Sequence, residues 1–273
     1  MLLREVEYAR PATIEEALRL LSSYEGARPL AGGQSLVNVM KTRVAAPDVV
    51  VDLNAIPELR QISVQGDGAL SIGAMVTYDQ LLRSDEARAV RPIVGRVVAT
   101  IADVQVRNRG TVGGNVCSND PTNHLPPLLA AIRATFTIRS LEGERTVAVE
   151  DFFQGVYMTA VGTGELLTRI TVPARRRGEG DGWASLTLGK DGTGIVNVAA
   201  TVRDAQARIG IGCVSAVPVV VETEADEGAA RSAVDDAGLD PPSDVHASGE
   251  YRRYLAQVLA ARAVKNAIED ARR

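Results

Sequence analysis

The chain has 273 residues, with 30 Lys plus Arg against 34 Asp plus Glu, a net charge of −4. That balance argues against a nucleic-acid binder, which carries a basic excess, and the length predicts one large domain or two modest ones. Two cysteines (Cys117, Cys213) and two histidines (His124, His246) are too few for an iron–sulfur cluster and imply no disulfide framework, whereas the 25 glycines are numerous and clustered.

The start, Met1-Leu2-Leu3-Arg4-Glu5, meets an acidic residue at once, so no secretory signal is expected. No apolar run approaches the roughly 18 residues of a transmembrane helix, and the expected compartment is the cytoplasm. Glu5 to Pro11 reads as a short strand entering a turn. Thr13 then opens a helix as N-cap with Glu16 completing a capping box, and Ala17, Leu18, Leu20, Leu21 and Tyr24 form its apolar face up to Gly26. Arg28 to Ala31 is a strand running into Gly32-Gly33-Gln34-Ser35, and Leu36 to Lys41 a helical turn or short helix. The β-branched run Val49 to Leu53 is a buried strand, and Leu70 to Ala74 alternates like another. Thr77 and Gln80 make a second capping box, Ile93 to Ile101 looks helical, and Val104 to Arg109 reads as a strand leading into Gly110-Thr111-Val112-Gly113-Gly114-Asn115.

Farther along, Pro126 to Ala134 is a short apolar helix. Thr135–Arg139 and Arg145–Val149 form a hairpin, and Leu166 to Val172 is a strand ending at Pro173. The charged, glycine-rich stretch Arg175 to Gly182 is the best boundary in the chain. Strands follow near Ala184–Gly189, Ile195–Arg203 and Ala207–Val214, then helices over Thr223–Ala237 and Tyr251–Arg272. In the last helix Tyr254, Leu255, Val258, Leu259, Ala261, Arg262, Lys265 and Ile268 give one apolar and one basic face. This order implies an α/β domain followed by an α+β domain.

The two glycine loops carry the chemistry. Paired glycines reach positive φ and let a ligand approach where a Cβ would block it, and successive backbone N–H groups in such turns form anion-binding nests. Two nests suit a diphosphate, with Gln34, Ser35, Thr111 and Asn115 adding side-chain donors; a pair of tight turns is the plainer reading of each loop alone. Other nucleotide motifs fail: Gly189-Lys190-Asp191-Gly192 is no phosphate loop, and Gly210-Ile211-Gly212-Cys213 lacks the third glycine of a dinucleotide fingerprint and reads as a core strand.

The segments AGGQSL (Ala31–Leu36) and IADVQVRNRGTVGGNVCSNDP (Ile101–Pro121) resemble the FAD-binding middle subunit of molybdenum hydroxylases, the xanthine dehydrogenase and carbon monoxide dehydrogenase family. Asp151 to Gly155, Gly164 to Thr168, Val172-Pro173 and Tyr251 to Leu255 extend the resemblance over essentially the whole chain. It implies an α+β fold: a two-lobed FAD-binding domain of vanillyl-alcohol-oxidase type at 1–173 (lobes about 1–55 and 56–173), a linker at 174–182, and a smaller α+β domain of antiparallel sheet plus helices at 183–273. The implied function is electron transfer through non-covalent FAD in a heterotrimer, with two heterotrimers pairing into a dimer. A large partner carries molybdopterin, a small one carries a pair of 2Fe–2S clusters, and an external acceptor takes the electrons. No catalytic or metal-binding residue is expected on this chain. The alternative is a free-standing FAD-dependent oxidase or reductase of the same cofactor fold.

By the same resemblance, Leu30, Ala31, Gly32, Gly33, Gln34, Ser35 and Leu36 wrap the pyrophosphate, and Thr111, Gly113, Gly114 and Asn115 form the second diphosphate loop. Ser118 and Leu167 match positions near the cofactor, and Lys190 matches a lysine facing the flavin end, or is a solvated turn lysine. Ile101 stands where some relatives stack an aromatic on adenine. His124, where many have aspartate, either contacts the cofactor or caps the helix at Leu125. Cys117 reads as a small buried hydrophobe.

Overall fold

The computed structural model describes residues 3–189 and 192–273. The first lobe contains β1 (Glu7–Ala9), α1 (Ile14–Ser23), β2 (Arg28–Leu30), α2 (Leu36–Lys41) and β3 (Val49–Asp52). Its sheet is parallel with order β1-β3-β2, Glu7 lying opposite Val49 and Leu30 opposite Asp52. The run Val49-Val50-Val51 is central and buried, as a two-sided parallel strand must be, and it shares a core with Ile14, Ala17, Leu18 and Leu21 of α1. Thr13 Oγ1 accepts the Glu16 N–H (3.2 Å), but Glu16 Oε2 reaches past Thr13 to the Ala12 N–H (2.8 Å), so the box closes one residue early. Tyr24, expected on the apolar face, is the exposed C-cap.

The second lobe is built on β4 (Ile62–Val64), β5 (Leu70–Gly73), α3 (Tyr78–Arg83), α4 (Asp85–Val90), α5 (Pro92–Val98), α6 (Val104–Arg109), α7 (Val112–Ser118), α8 (Leu125–Ala131), β6 (Thr135–Arg139), β7 (Glu144–Ala148), α9 (Val149–Phe152), β8 (Phe153–Gly155), β9 (Met158–Thr159) and β10 (Leu166–Val172). An antiparallel sheet of order β4-β5-β10-β6-β7 forms its floor. The chain's three phenylalanines cluster there: Phe136 stacks on Phe152 (centroids 3.8 Å), and Phe153 meets Phe152 edge-on at 5.1 Å. The Thr77–Gln80 capping box forms with both halves. One expectation fails: Val104 to Arg109 is a helix, because Asp103 Oδ1 caps it by accepting the Val106 N–H (2.8 Å).

The C-terminal part is the meander β11 (Gly180–Thr187), β12 (Gly194–Arg203), β13 (Gln206–Gly212) and β14 (Val219–Glu224), covered by α10 (Glu227–Asp236) and α11 (Gly249–Ala271). Here the expected helix from Thr223 gives way to a strand, since Val219-Val220-Val221 completes the sheet and Asp226 caps α10 only afterwards. The packing face of α11 is made by alanines 256, 260, 263 and 267 with Leu255 and Leu259, while Tyr254 is exposed. Such a face lets the backbones nearly touch: a Cβ on Gly180 would fall 2.1 Å from Ala267 O, and one on Gly182 1.9 Å from Ala263 O.

Strand β11 begins at Gly180, inside the stretch expected to be linker, and the stretch is anchored. Arg91, between α4 and α5, is only 1% exposed. Its Nε and Nη2 donate to the two carboxylate oxygens of Asp181 (2.9 and 2.6 Å), Nη2 also donates to Glu179 Oε1 (2.6 Å), and Nη1 donates to Pro173 O (3.2 Å). Thr201 Oγ1 donates to Asp181 Oδ1 at 2.8 Å. A buried ion cluster therefore joins the second lobe to the C-terminal sheet. Because removing one partner strands the others in a low-dielectric site, Arg91→Met should cost about 3–5 kcal/mol in urea unfolding. Removing Asp181 as well (Asp181→Leu) should recover part of that loss.

Candidate functional site

The two glycine loops, about eighty positions apart in sequence, lie against each other. A Cβ on Gly32 would sit 2.1 Å from Arg109 O and 2.9 Å from Gly110 Cα. One on Gly114 would sit 3.6 Å from Ala31 Cβ and 2.8 Å from Thr111 Oγ1. Gly32 is thus required for loop-on-loop contact, while Gly33 (φ +74°) is required for the turn itself. Gly113 serves a third purpose, since its Cβ would fall 2.5 Å from Ala74 O at the end of β5.

The loops differ in what they offer. In loop one the backbone N–H groups of Gly33, Gln34 and Ser35 donate to no acceptor among the described residues. The loop is shaped from outside: Asn54 Nδ2 donates to Ala31 O (3.0 Å), Gln34 Nε2 to Gly32 O (3.2 Å), and Arg60 Nη2 holds Asn54 Oδ1 (2.7 Å). Leu30 ends β2 and Leu36 begins α2, both half-buried, with Ser35 exposed between them. In loop two the expected row of free amides after a strand is replaced by a capped helix after a helix. The N–H groups of Val112 and Gly113 go to Val76 O and Ala74 O (both 2.9 Å), and those of Gly114 and Asn115 go to Thr111 Oγ1 and Thr111 O (both 3.0 Å). The side chains of loop two are turned inward as well. Asn115 Oδ1 is buried without a partner among the described residues. Ser118 Oγ donates to Asn115 O (2.8 Å) and accepts from Asn123 Nδ2 (3.1 Å).

The remaining expected positions scatter. Ile101 is buried beyond α5, its carbonyl accepting from Arg107 Nη1 (2.9 Å). Leu167 is buried in β10 opposite Ile138, in the same core as Val112 and Val116 of α7. Lys190 lies outside the described residues. His124 occupies the N-cap of α8 without a side-chain capping bond, which removes the capping alternative. Its ring instead stacks on Trp183 of β11 at 5.8 Å, with Nε2 buried and unpartnered among the described residues. Burial pushes its pKa down to about 4 and pushes the Cys117 thiol up to about 12; both groups are neutral near pH 7. Sequence reasoning passed over Asn54 and Asn123, the two amides that shape the loops. Asn54 had a signal, lying two residues after Asp52, whose carboxylate accepts its backbone N–H (2.9 Å) in a 3₁₀ turn.

The family described as FAD binding domain in molybdopterin dehydrogenase matches residues 4–175. The chain is 38% identical to the carbon monoxide dehydrogenase medium chain of Afipia carboxidovorans, over 96% of each chain. It is 34% identical to the nicotine 6-hydroxylase medium subunit of Paenarthrobacter nicotinovorans, over 98% of this chain and 99% of the other. The structure matches that of a carbon monoxide dehydrogenase chain from Hydrogenophaga pseudoflava with a TM-score of 0.95 at 32% identity, covering 99% of both.

Two measurements check the site's physics. Gly32→Ala forces a backbone shift and should destabilise the protein by about 1–3 kcal/mol in urea unfolding, more than the ~1–2 kcal/mol of left-handed strain expected for Gly33→Ala. For His124, folded and unfolded chains are both neutral above the ordinary pKa of 6.5. Below it, the unfolded chain takes a proton that the folded chain refuses, so stability is lost as pH falls toward about 4. The loss reaches about 3 kcal/mol in all, and His124→Leu should remove it when urea midpoints are compared at pH 7 and 5.

Proposed function

The chain belongs to the family of FAD-binding medium subunits of molybdopterin dehydrogenases, and from that premise we propose that it is the electron-transfer subunit of a heterotrimeric molybdenum hydroxylase. The observation that carries the reading is the junction of the two loops. Gly32 fits loop one onto the Arg109–Gly110 backbone, leaving the amides of Gly33, Gln34 and Ser35 without protein acceptors among the described residues. A row of unspent N–H groups in a glycine turn matches a phosphate's demand for donors.

These residues fit FAD, and the fit has a division of labour. Loop one supplies backbone donors to the diphosphate. Loop two, with its amides already bonded, supplies close approach at Gly114 and the half-buried Ser118 hydroxyl, which keeps one acceptor lone pair. Ile101 and Leu167 contribute apolar packing behind the loops. When bound, FAD supplies a centre that accepts electrons and passes them on, and the protein's part is to bind and orient it. No side chain of this subunit needs to act as acid, base or nucleophile.

The assembly is part of the same proposal. With two cysteines, this chain cannot ligate an iron–sulfur cluster on its own. A small subunit with a pair of 2Fe–2S clusters delivers the electrons, a large molybdopterin subunit generates them, and two heterotrimers pair. Affinity purification of the tagged chain from its own cells tests this. An equimolar flavin signal with two co-purifying subunits is the expected result. A yellow lone chain would favour a free-standing flavin oxidase or reductase, and a colourless lone chain would defeat both readings.

A further inference from the structure

The C-terminal sheet grips the segment that follows α7. Three consecutive carbonyls of that segment accept hydrogen bonds from it: Pro121 O from the Cys213 backbone N–H (3.0 Å), Thr122 O from Asn197 Nδ2 (3.1 Å) and Asn123 O from the same Nδ2 (3.5 Å). On the segment's other side, Asn123 Nδ2 donates to Asn115 O (3.0 Å) and Ser118 Oγ (3.1 Å), so the grip passes directly into loop two.

The sheet's own fold does not call for this arrangement. Asn197 is 0% exposed in a strand of Ile, Val and Ala, and its Oδ1 has no partner among the described residues. An apolar residue there would leave no buried orphan. The amide's orientation is fixed, because a flipped amide would set Oδ1 against the carbonyl oxygens of Thr122 and Asn123. Cys213 holds φ +68°, which a residue with a side chain adopts only when its surroundings enforce it. Gly194 completes the fit: a Cβ there would fall 2.4 Å from Asn197 Nδ2 and 2.9 Å from Thr122 O.

We infer that Asn197 is a positioning residue of the FAD site, through which the C-terminal sheet sets the placement of Asn115 and Ser118. The inference rests on the reading that this chain binds FAD, and the influence of Asn197 on affinity runs through Asn123.

The test is FAD affinity of the full chain, stripped of flavin and titrated by fluorescence quenching, read beside the urea midpoint. Asn197→Leu and Asn197→Asp both remove the donor and should weaken FAD binding by about tenfold, the scale of one or two lost hydrogen bonds. Gly194→Ala should do the same with the amide intact. Ile209→Ala removes fully buried packing from the same sheet but no bond to the segment, and should lower the urea midpoint while keeping affinity. Cys213→Gly keeps the backbone donor and should also keep affinity. Wild-type affinity in Asn197→Leu overturns the inference, as does an equal loss of affinity in Ile209→Ala. A wild-type chain that takes up no FAD overturns the proposed function and this inference together.

Discussion

The site depends on one backbone contact, the approach of Gly32 to the Arg109 carbonyl. There is no room between them for a methyl group, since a Cβ would lie 2.1 Å from that oxygen. The contact brings a turn from a parallel lobe against a turn from an antiparallel one and fixes how far apart their donors stand. The neighbouring glycines tie the same junction down. Gly113 seats α7 on Ala74 at the end of β5, and Gly110 lies under the Tyr78 ring, with a Cβ there 2.7 Å from Cε2. Read this way, the glycine clusters serve protein-on-protein fit first and ligand access second.

The second dependence is electrostatic. Arg91 is satisfied by Asp181, Glu179 and the Pro173 carbonyl, all from the passage between the end of β10 and the start of β11. That passage is polar and glycine-rich, and by composition it looks loose. It is instead a buried ionic junction between the second lobe and the C-terminal sheet. A second set of charges repeats the theme, with Arg175 bridging to Asp270 of α11 (3.0 Å) and Asp270 Oδ2 accepting the Asp181 N–H (3.0 Å). A C-terminal sheet held this firmly can serve as a fixed wall for the loop that follows α7.

Much of the fold was legible because local chemistry and the final structure agree. Val49 to Val51 is β-branched and becomes a buried central strand, and Thr77 with Gln80 caps a helix as their spacing implies. Legibility failed where long-range contacts override propensity. Val104 and Val106 suggest a strand, but Asp103 caps a helix there. Gly113 and Gly114 are poor helix formers, yet they sit in α7 because Ala74 and Val76 on the floor of the lobe accept the first amides. The residue types of the two loops could be read from the sequence. Which loop keeps its amides free could not, since that is decided by carbonyls some forty residues upstream. The contributions of Asn54 and Asn123 were hidden for a like reason: an asparagine in a turn is ordinary until its neighbour across the fold is known.

The two cysteines follow from this packing in an unexpected way. Cys117 sits in α7 and Cys213 at the end of the C-terminal sheet, and burial pushes both thiols up to about 12. Neither is a thiolate near neutral pH, but they differ in access: Cys117 is half-buried, whereas Cys213 is buried and reacts with an alkylating reagent only when its surroundings open. Alkylation of Cys213 is therefore a chemical clock for the C-terminal sheet. Because the Cys213 N–H holds Pro121 O, its rate records how often the sheet lets go of the segment that follows α7.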